Sequence, residues 1–459
     1  MKRKILTMIT IGCVFLMLLT GCGDSSENRT TSGMEARSDR ETTEEADDSE
    51  DEREIEEESG TMIENLIGRE AGFYQSDGSF IPWDDLGMDV ETDYTSDNHR
   101  TEDRSPYKIY MENLYGSGDL VLPDNITRIG EYAFDWCWWL ESIDLPDTLT
   151  SIGEYAFYNC ESLTSIDLPD ALTSIEAATF WNCESLTSID LSNTQITSIG
   201  DYAFSSCESL TSIDFPNTLT SIGDYAFGFC DSLASIDLSN TQITSIGEYD
   251  FWYCKSLTSI ELPDTLISIG DDAFEGFESL TSIDLPDTVT SIGKYAFRNC
   301  TSLTSIDLPD NITSIGWGAF QGCTSLANID LPDTVTSIDD QVFQGCTSLT
   351  SIDLPDAVTS IDMSAFSFCD SLASIDLSNT QITSIGMDAF RDCTSLTSID
   401  LPNTLTSIDG SAFADCTSLT NIDYAGTMEE WNAIDKYYIW NIDSVIETIT
   451  CSDGVISLE

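Results

Sequence analysis

Thirteen copies of one 23- or 24-residue unit run from about Leu120 to Tyr424, and the copy from Leu280 to Ser302 reads L-T-S-I-D-L-P-D-T-V-T-S-I-G-K-Y-A-F-R-N-C-T-S. A unit this short cannot bury its own apolar face. Each copy must therefore stack on its neighbours, which makes the array a quasi-one-dimensional solenoid. The rest of the 459-residue chain adds segments before and after the array but no second repeat.

Each position of the unit has a physical reading. The segment L-x-x-I-x-L, as in Leu303, Ile306 and Leu308, alternates apolar and polar residues and suits a half-buried strand. Pro follows it in most copies (Pro146, Pro169, Pro286, Pro309), removes a backbone donor and closes the strand. T-S-I-G predicts a second short extended piece that brings another Ile inward. A-F-x-x-C predicts a compact turn or short helical piece, whose Phe recurs in all thirteen units from Phe134 through Phe274 to Phe413.

Cys recurs at one position in twelve units, from Cys137 to Cys416, and Phe277 stands there in the thirteenth. Stacked units would bring neighbouring Cα atoms within disulfide reach, and an exported protein can carry disulfides. A bond or a metal would not accept Phe, whereas an apolar slot would, so the column reads first as buried free thiols.

The flanks differ in composition. Residues 1–22 have a basic start (Lys2, Arg3, Lys4), an apolar run from Ile5 to Leu19 and the ending L-T-G-C at Cys22. The run is short for a spanning helix and reads as an export signal. Its ending resembles the bacterial lipobox, which implies lipidation at Cys22 and an exported protein tethered to the outer side of a membrane, exposed at the surface. Residues 23–60 are acidic, with E-E-A-D-D-S-E-D-E-R-E-I-E-E-E from Glu44 to Glu58, and read as a disordered linker. As a flexible coil it would span roughly 34 Å. Residues 61–119 read as an N-terminal segment whose part from Ser105 to Gly118 caps the stack. Residues 425–459, with Trp431, Tyr437, Tyr438 and Trp440, read as the C-terminal cap.

The charge balance excludes whole classes of partner. Against 82 Asp and Glu there are 17 Lys and Arg, a formal charge of -65 that repels nucleic acid and anionic membrane surfaces. Membrane association is expected through the lipid anchor alone. Cations or basic protein patches remain as electrostatic partners. The single His, His99, lies outside the repeats, so no His-based triad or multi-His metal site can be built. No phosphate-cradling glycine loop is present, and a monotone row of carboxylates lacks the unequal environments that separate an acid from a base. An enzyme is not expected.

The pattern L-x-x-I-x-L-P-x-x-(L/V)-T-S-I-G-x-x-A-F-x-x-C resembles the BspA-like leucine-rich repeats of bacterial surface proteins. G-T-M-E-E-W-N-A-I, from Gly426 to Ile434, is similar to the end segment of that family. The resemblance implies a leucine-rich-repeat solenoid: a right-handed curved stack of about 13 turns with parallel β-ladders, capped at both ends. It also implies a role in adhesion or protein binding at the cell surface but no particular ligand; a host or another bacterial protein is the expected partner.

Two surfaces could carry that role. The polar position inside the strand is acidic in every unit: Asp144, Asp167, Asp190, Asp214, Asp237, Glu261, Asp284, Asp307, Asp330, Asp353, Asp376, Asp400 and Asp423. At a rung spacing of about 4.8 Å, neighbours repel by roughly 0.9 kcal/mol even at the dielectric of water. Screening, Ser and Thr hydrogen bonds or partial protonation would relieve this, or divalent cations such as Ca²⁺ would bridge neighbouring carboxylates. The second surface is the variable edge beside the core Phe. It offers Tyr158, Trp181, Trp252, Arg298, Trp317 and Arg391 as ligand-binding candidates. Neutral drift after duplication explains the same variation. Trp136, Trp138 and Trp139 read as packing under the N-terminal cap or as contact anchors. The alternative functions are a glycan or cell-wall polymer binder, with aromatic rings stacked on sugars, and a non-binding spacer.

Overall fold

The computed structural model describes residues 72–75, 80–82, 118–122, 124 and 126–458. They belong to one compact unit formed by Ala71–Met88 and Met111–Glu459. The repeats stack as a parallel β-solenoid of about 14 turns, and two parallel ladders run through it. In the first ladder the Ser-Ile-Asp strands align identical residues: Ser188, Ile189 and Asp190 face Ser212, Ile213 and Asp214. In the second, Ser-Ile pairs align in the same way, as at Ser268, Ser291 and Ser314. The strand period of two sends Ile into the core while Ser and Asp face out.

The A-F-x-x-C arc is a run of overlapping turns and contains no helix. In one turn Ala156, Tyr158 and Cys160 donate backbone N–H to Gly153, Tyr155 and Phe157 of the same turn at 3.1–3.2 Å. The intervening Tyr155, Phe157 and Asn159 donate to Ala177, Thr179 and Trp181 of the next turn at 2.8–3.0 Å. This alternation requires the left-handed backbone at two residues of each turn, here Tyr155 (φ 55°) and Asn159 (φ 57°). Most of these residues are not Gly, and the conformation costs each roughly 1–2 kcal/mol. The inter-turn hydrogen bonds that it permits offset that cost.

The core is a set of stacked columns. Successive Phe rings, such as Phe297, Phe320 and Phe343, lie nearly parallel with centroids 5.5 and 5.8 Å apart. Each is buried, which contributes about 1.5–3 kcal/mol per ring. The described cysteines are free, and the repeat column from Cys160 to Cys416 is buried. Each of these thiols donates to the Phe carbonyl of the preceding turn, as Cys183 Sγ does to Phe157 O at 3.3 Å. Cys therefore fits as a small apolar side chain with one weak donor. Phe277 lacks that donor, and beside it the Phe274 and Phe297 rings tilt by 37°. Exposed Thr columns add further links, as where Thr220 Oγ1 donates to Thr197 O at 2.8 Å.

The two unit lengths have a structural cause. Most units turn through P-D/N-x-L/V/I, where Leu149 N–H donates to Pro146 O at 2.9 Å. Three units carry S-N-T-Q instead, one residue longer, starting at Ser192, Ser239 and Ser378. There the extra residue is absorbed while Leu191 and Gln195 donate to Asp214 O and Leu172 O of the adjoining turns.

Residues outside the repeat adjoin both ends. Strand 72–75 pairs antiparallel with 80–82 and with Ile126–Ile129, the first rung of the second ladder. At the other end Thr448–Cys451 extends the first ladder in parallel from Asn421–Tyr424, and Gly454–Ser457 folds back on it. The helix Met428–Ala433 begins with a capping box between Thr427 and Glu430 and buries Trp431. Trp440 closes the Phe column edge-on against Phe413 at 5.9 Å. No helix among the described residues is long and apolar enough to cross a membrane. The expected export signal, Cys22, the acidic linker and nearly all of the segment read as an N-terminal cap lie outside the described residues.

Phe320→Ala removes the centre of a three-ring stack and is expected to cost about 3–5 kcal/mol, read from the urea unfolding midpoint. A cost below 1 kcal/mol would contradict the stacked core.

Candidate functional surfaces

The acidic row lies where the strand period predicts. Its members from Asp144 through Asp167, Asp190 and onward to Asp376 are exposed, while Asp400 and Asp423 are half-buried. Register places like charges side by side: Asp190 by Asp214, Asp237 by Glu261, Asp284 by Asp307, Asp307 by Asp330, Asp376 by Asp400. Part of the repulsion is relieved locally. In the three S-N-T-Q units the N–H of Ser192, Ser239 and Ser378 donates to the Asp two residues earlier at 2.8–2.9 Å. The Ser192 hydrogen bonds hold the Asp190 carboxyl below its usual range. Partial burial, then the carboxylates of Asp376 and Asp423, push Asp400 up. Among the described residues no group of three or more His, Cys, Asp or Glu side chains is arranged to hold a metal ion.

The variable edge is the outer side of the turn arc, and its aromatic residues are held by one another. Tyr202, Tyr225 and Tyr249 occupy left-handed positions and stack face to face at 4.8 and 4.4 Å. Where Ala178 interrupts this column, Trp181 fills in, with its ring 5.0 Å from Tyr158 and 5.4 Å from Tyr202. Trp252 is half-buried against Tyr249, Tyr253 and Phe229. Trp317 is more open, 39% exposed, beside Tyr295 at 5.6 Å. Arg298 lies over the same Tyr295 ring at 4.8 Å. Arg391 pairs with Asp388, Asp392 and Asp415 at 3.4–3.9 Å. Of the three early Trp, Trp139 is buried and Trp136 exposed.

The structure gathers Trp252 and Arg298 around an acid that the sequence reading passed over. Glu275 is buried, accepts from Trp252 Nε1 at 2.9 Å and pairs with Arg298 Nε at 3.5 Å. Asp272 is buried beside Glu275, and Asp250 is buried in the preceding turn. Burial, then the neighbouring Glu275, pushes the Asp272 carboxyl up. Asp250 stands in the column that holds Ala in most turns. Its Oδ2 accepts from Gly247 N–H at 2.6 Å, while its Oδ1 has no partner. Burial, reinforced by Asp224 and Asp201, pushes its carboxyl well above the usual range. The signal was available in the repeat itself, since Asp250, Asp272 and Phe277 are departures from consensus in two adjoining turns.

Asp250 thus takes up a proton on folding at a pH where the unfolded chain is ionised. Its contribution to stability is complete below the unfolded value of 3.8 and is lost as pH rises through the raised folded value. Asp250→Ala restores the common residue and removes a buried unpaired oxygen. Near pH 7 it is expected to stabilise by about 1–3 kcal/mol, with a smaller gain near pH 4. Urea midpoints of both proteins at the two pH values check this, and an equal gain at both would contradict the assignment.

Comparison with known proteins places this geometry. The family described as BspA type Leucine rich repeat region (6 copies) matches residues 117–233, 193–300, 220–348 and 313–446. A leucine-rich repeat protein from Bacteroides ovatus is 30% identical, with a TM-score of 0.58 over 72% of this chain and 91% of the other. A leucine rich cell surface protein from Faecalibacterium prausnitzii is 28% identical, with a TM-score of 0.39 over 69% of this chain and 90% of the other. No curated protein matches the sequence. With matches that together span residues 117–446 and a stack of in-register ladders, the chain belongs to the BspA-type leucine-rich-repeat family.

Proposed function

We propose that this protein is a surface-anchored adhesin or interaction scaffold, exported by residues 1–22, lipidated at Cys22 and held off the membrane by the acidic segment 23–60. The fold supports a protein-interaction scaffold in general, and the finer reading rests on one observation. Every turn buries the same Ile, Leu and Phe columns, so the differences between turns fall largely on the exposed edge beside the core Phe. A partner that reads this chain specifically has to read that edge. The acidic row adds a uniform field that favours a ligand with basic surface and speeds encounter with it.

The glycan alternative gains less support. Sugars stack on free ring faces, whereas Tyr202, Tyr225 and Tyr249 already spend theirs on each other. Nothing in the site geometry calls for catalysis either. Burial raises the thiols of Cys254 and Cys369, which removes them as nucleophiles.

The test is binding of the mature protein to an array of host matrix proteins, bacterial proteins and bacterial glycans, with Ca²⁺ and with chelator. The expected result is a saturable protein hit that weakens as salt rises and is reduced by Trp317→Ala. Binding confined to glycans would overturn the reading. In cells, Cys22→Ser is expected to abolish acyl labelling and membrane retention, and labelling that persists would refute the anchor.

A further inference from the structure

Because the repeats are nearly identical, a column that changes character over consecutive turns carries information. The residue two places before the A-F Ala is charged or Ala in the first eight turns: Glu131, Glu154, Ala177, Asp201, Asp224, Glu248, Asp271 and Lys294. The column then reads Trp317, Asp340, Met363, Met387 and Gly410. Gln341 N–H donates to Met363 O, Ser364 to Met387 O and Asp388 to Gly410 O at 2.9–3.1 Å, which places these residues on successive turns. Gly410 has no side chain, and the Tyr437 ring occupies its place; a Cβ there would meet that ring at 3.0 Å. Tyr437 in turn packs on Tyr438 at 4.9 Å.

The outcome is an uncovered apolar stripe. Met363, Met387, Tyr437 and Tyr438 are 37%, 50%, 52% and 82% exposed. Carboxylates border it: Asp340, Asp362, Asp388 and Asp409. Between Arg298 and Lys436 the only Lys or Arg is Arg391, and its guanidinium is committed to Asp388, Asp392 and Asp415. Lys436 donates to Trp431 O and Ile434 O. Of the four bordering carboxylates Arg391 answers Asp388, so positive charge for Asp340, Asp362 and Asp409 has to come from outside the stripe. A second copy cannot readily supply it, since each chain carries a formal charge of -65.

Spacing narrows the partner further. Along this part of the arc the Phe rings repeat at 5.3 and 5.4 Å from Phe366 through Phe390 to Phe413. One α-helical turn rises about 5.4 Å. A helix lying along the stack axis would therefore set one apolar side chain on each turn of the stripe. Its flanking Lys or Arg would reach the bordering carboxylates.

We propose that the stripe of Met363, Met387, Tyr437 and Tyr438 docks a basic amphipathic helix of a partner protein. The proposal rests on the protein-binding reading above and names the surface and the partner chemistry. Flexible thioethers fit varied apolar side chains, and a helix laid in an apolar groove or stripe is read through its i, i+3, i+4 and i+7 residues.

The test uses the mature protein and three fluorescent synthetic peptides of equal charge at 0.3 M salt. One is a Leu/Lys peptide with Leu at helical spacing, one has Leu and Lys in strict alternation, and one replaces Leu by Ser. The helical peptide is expected to bind saturably, and the combined Met363→Ser, Met387→Ser and Tyr438→Ser variant to weaken it at least tenfold. The Ser peptide should bind weakly and equally to both proteins, reporting the acidic background. Equal binding of the helical peptide to parent and variant would overturn the proposal, as would preference for the alternating peptide. Sedimentation showing a parent dimer that the variant loses would reassign the stripe to a second copy. If the array identifies a protein ligand that binds the variant as it binds the parent, the stripe fails and the scaffold reading stands. An array with no protein hit removes the scaffold reading, whatever the peptides do.

Discussion

Backbone hydrogen bonding between identical residues of successive turns holds the rest of this molecule in place. Each turn bonds its neighbours at the Ser-Ile-Asp strand, at the Ser-Ile strand and at alternate residues of the A-F arc. Once that register is set, like side chains have to stack on like. The result is a Phe column, two Ile columns and a Cys column inside, with Thr, Ser and Asp rows outside. The same register that builds the core also aligns carboxylates that repel each other. Stability therefore rests on burial and inter-turn bonding outweighing a charge row that any shift of register would only move elsewhere.

Much of this was legible in the sequence, because a repeat states its own alignment. Its period implies the stack, the alternation in S-I-D implies the outward acid, and the unbroken Phe column implies the buried rings. The turn arc was not legible. Its left-handed residues are mainly Tyr, Asn, Asp and Ser, with only Gly276, Gly318, Gly322 and Gly345 as overt signals, so nothing but the stack explains that conformation. The donor role of Cys was hidden for a related reason: a thiol reads as a small hydrophobe until the Phe carbonyl of the adjoining turn is located. The variable residues could be named but not placed. Trp181 and Trp252 stand in outer positions, yet their rings are taken up by Tyr202 and Tyr249.

These distinctions shape the functional account. Positions that look alike in a repeat differ in availability, and availability follows from what the neighbouring turns contribute. In the first half of the array the outer arc is aromatic and self-satisfied. In the second half it gives way to Gln, Ser and Asp, with thioethers and tyrosines left open. Glu275, Asp272 and Asp250 are buried between these halves, and burial raises the carboxyls of Asp272 and Asp250, so the stability of that region depends on pH. Surface chemistry thus changes along a backbone that does not.

The central claim is one continuous buried core, and thiol reactivity tests it at almost every turn. Under native conditions the column from Cys160 to Cys416 should resist an alkylating reagent, and in denaturant each of these thiols should take up one label. Peptide mass mapping would read both states. Labelling of mid-stack cysteines in the native protein, or masses showing them disulfide-linked, would contradict the stack as described.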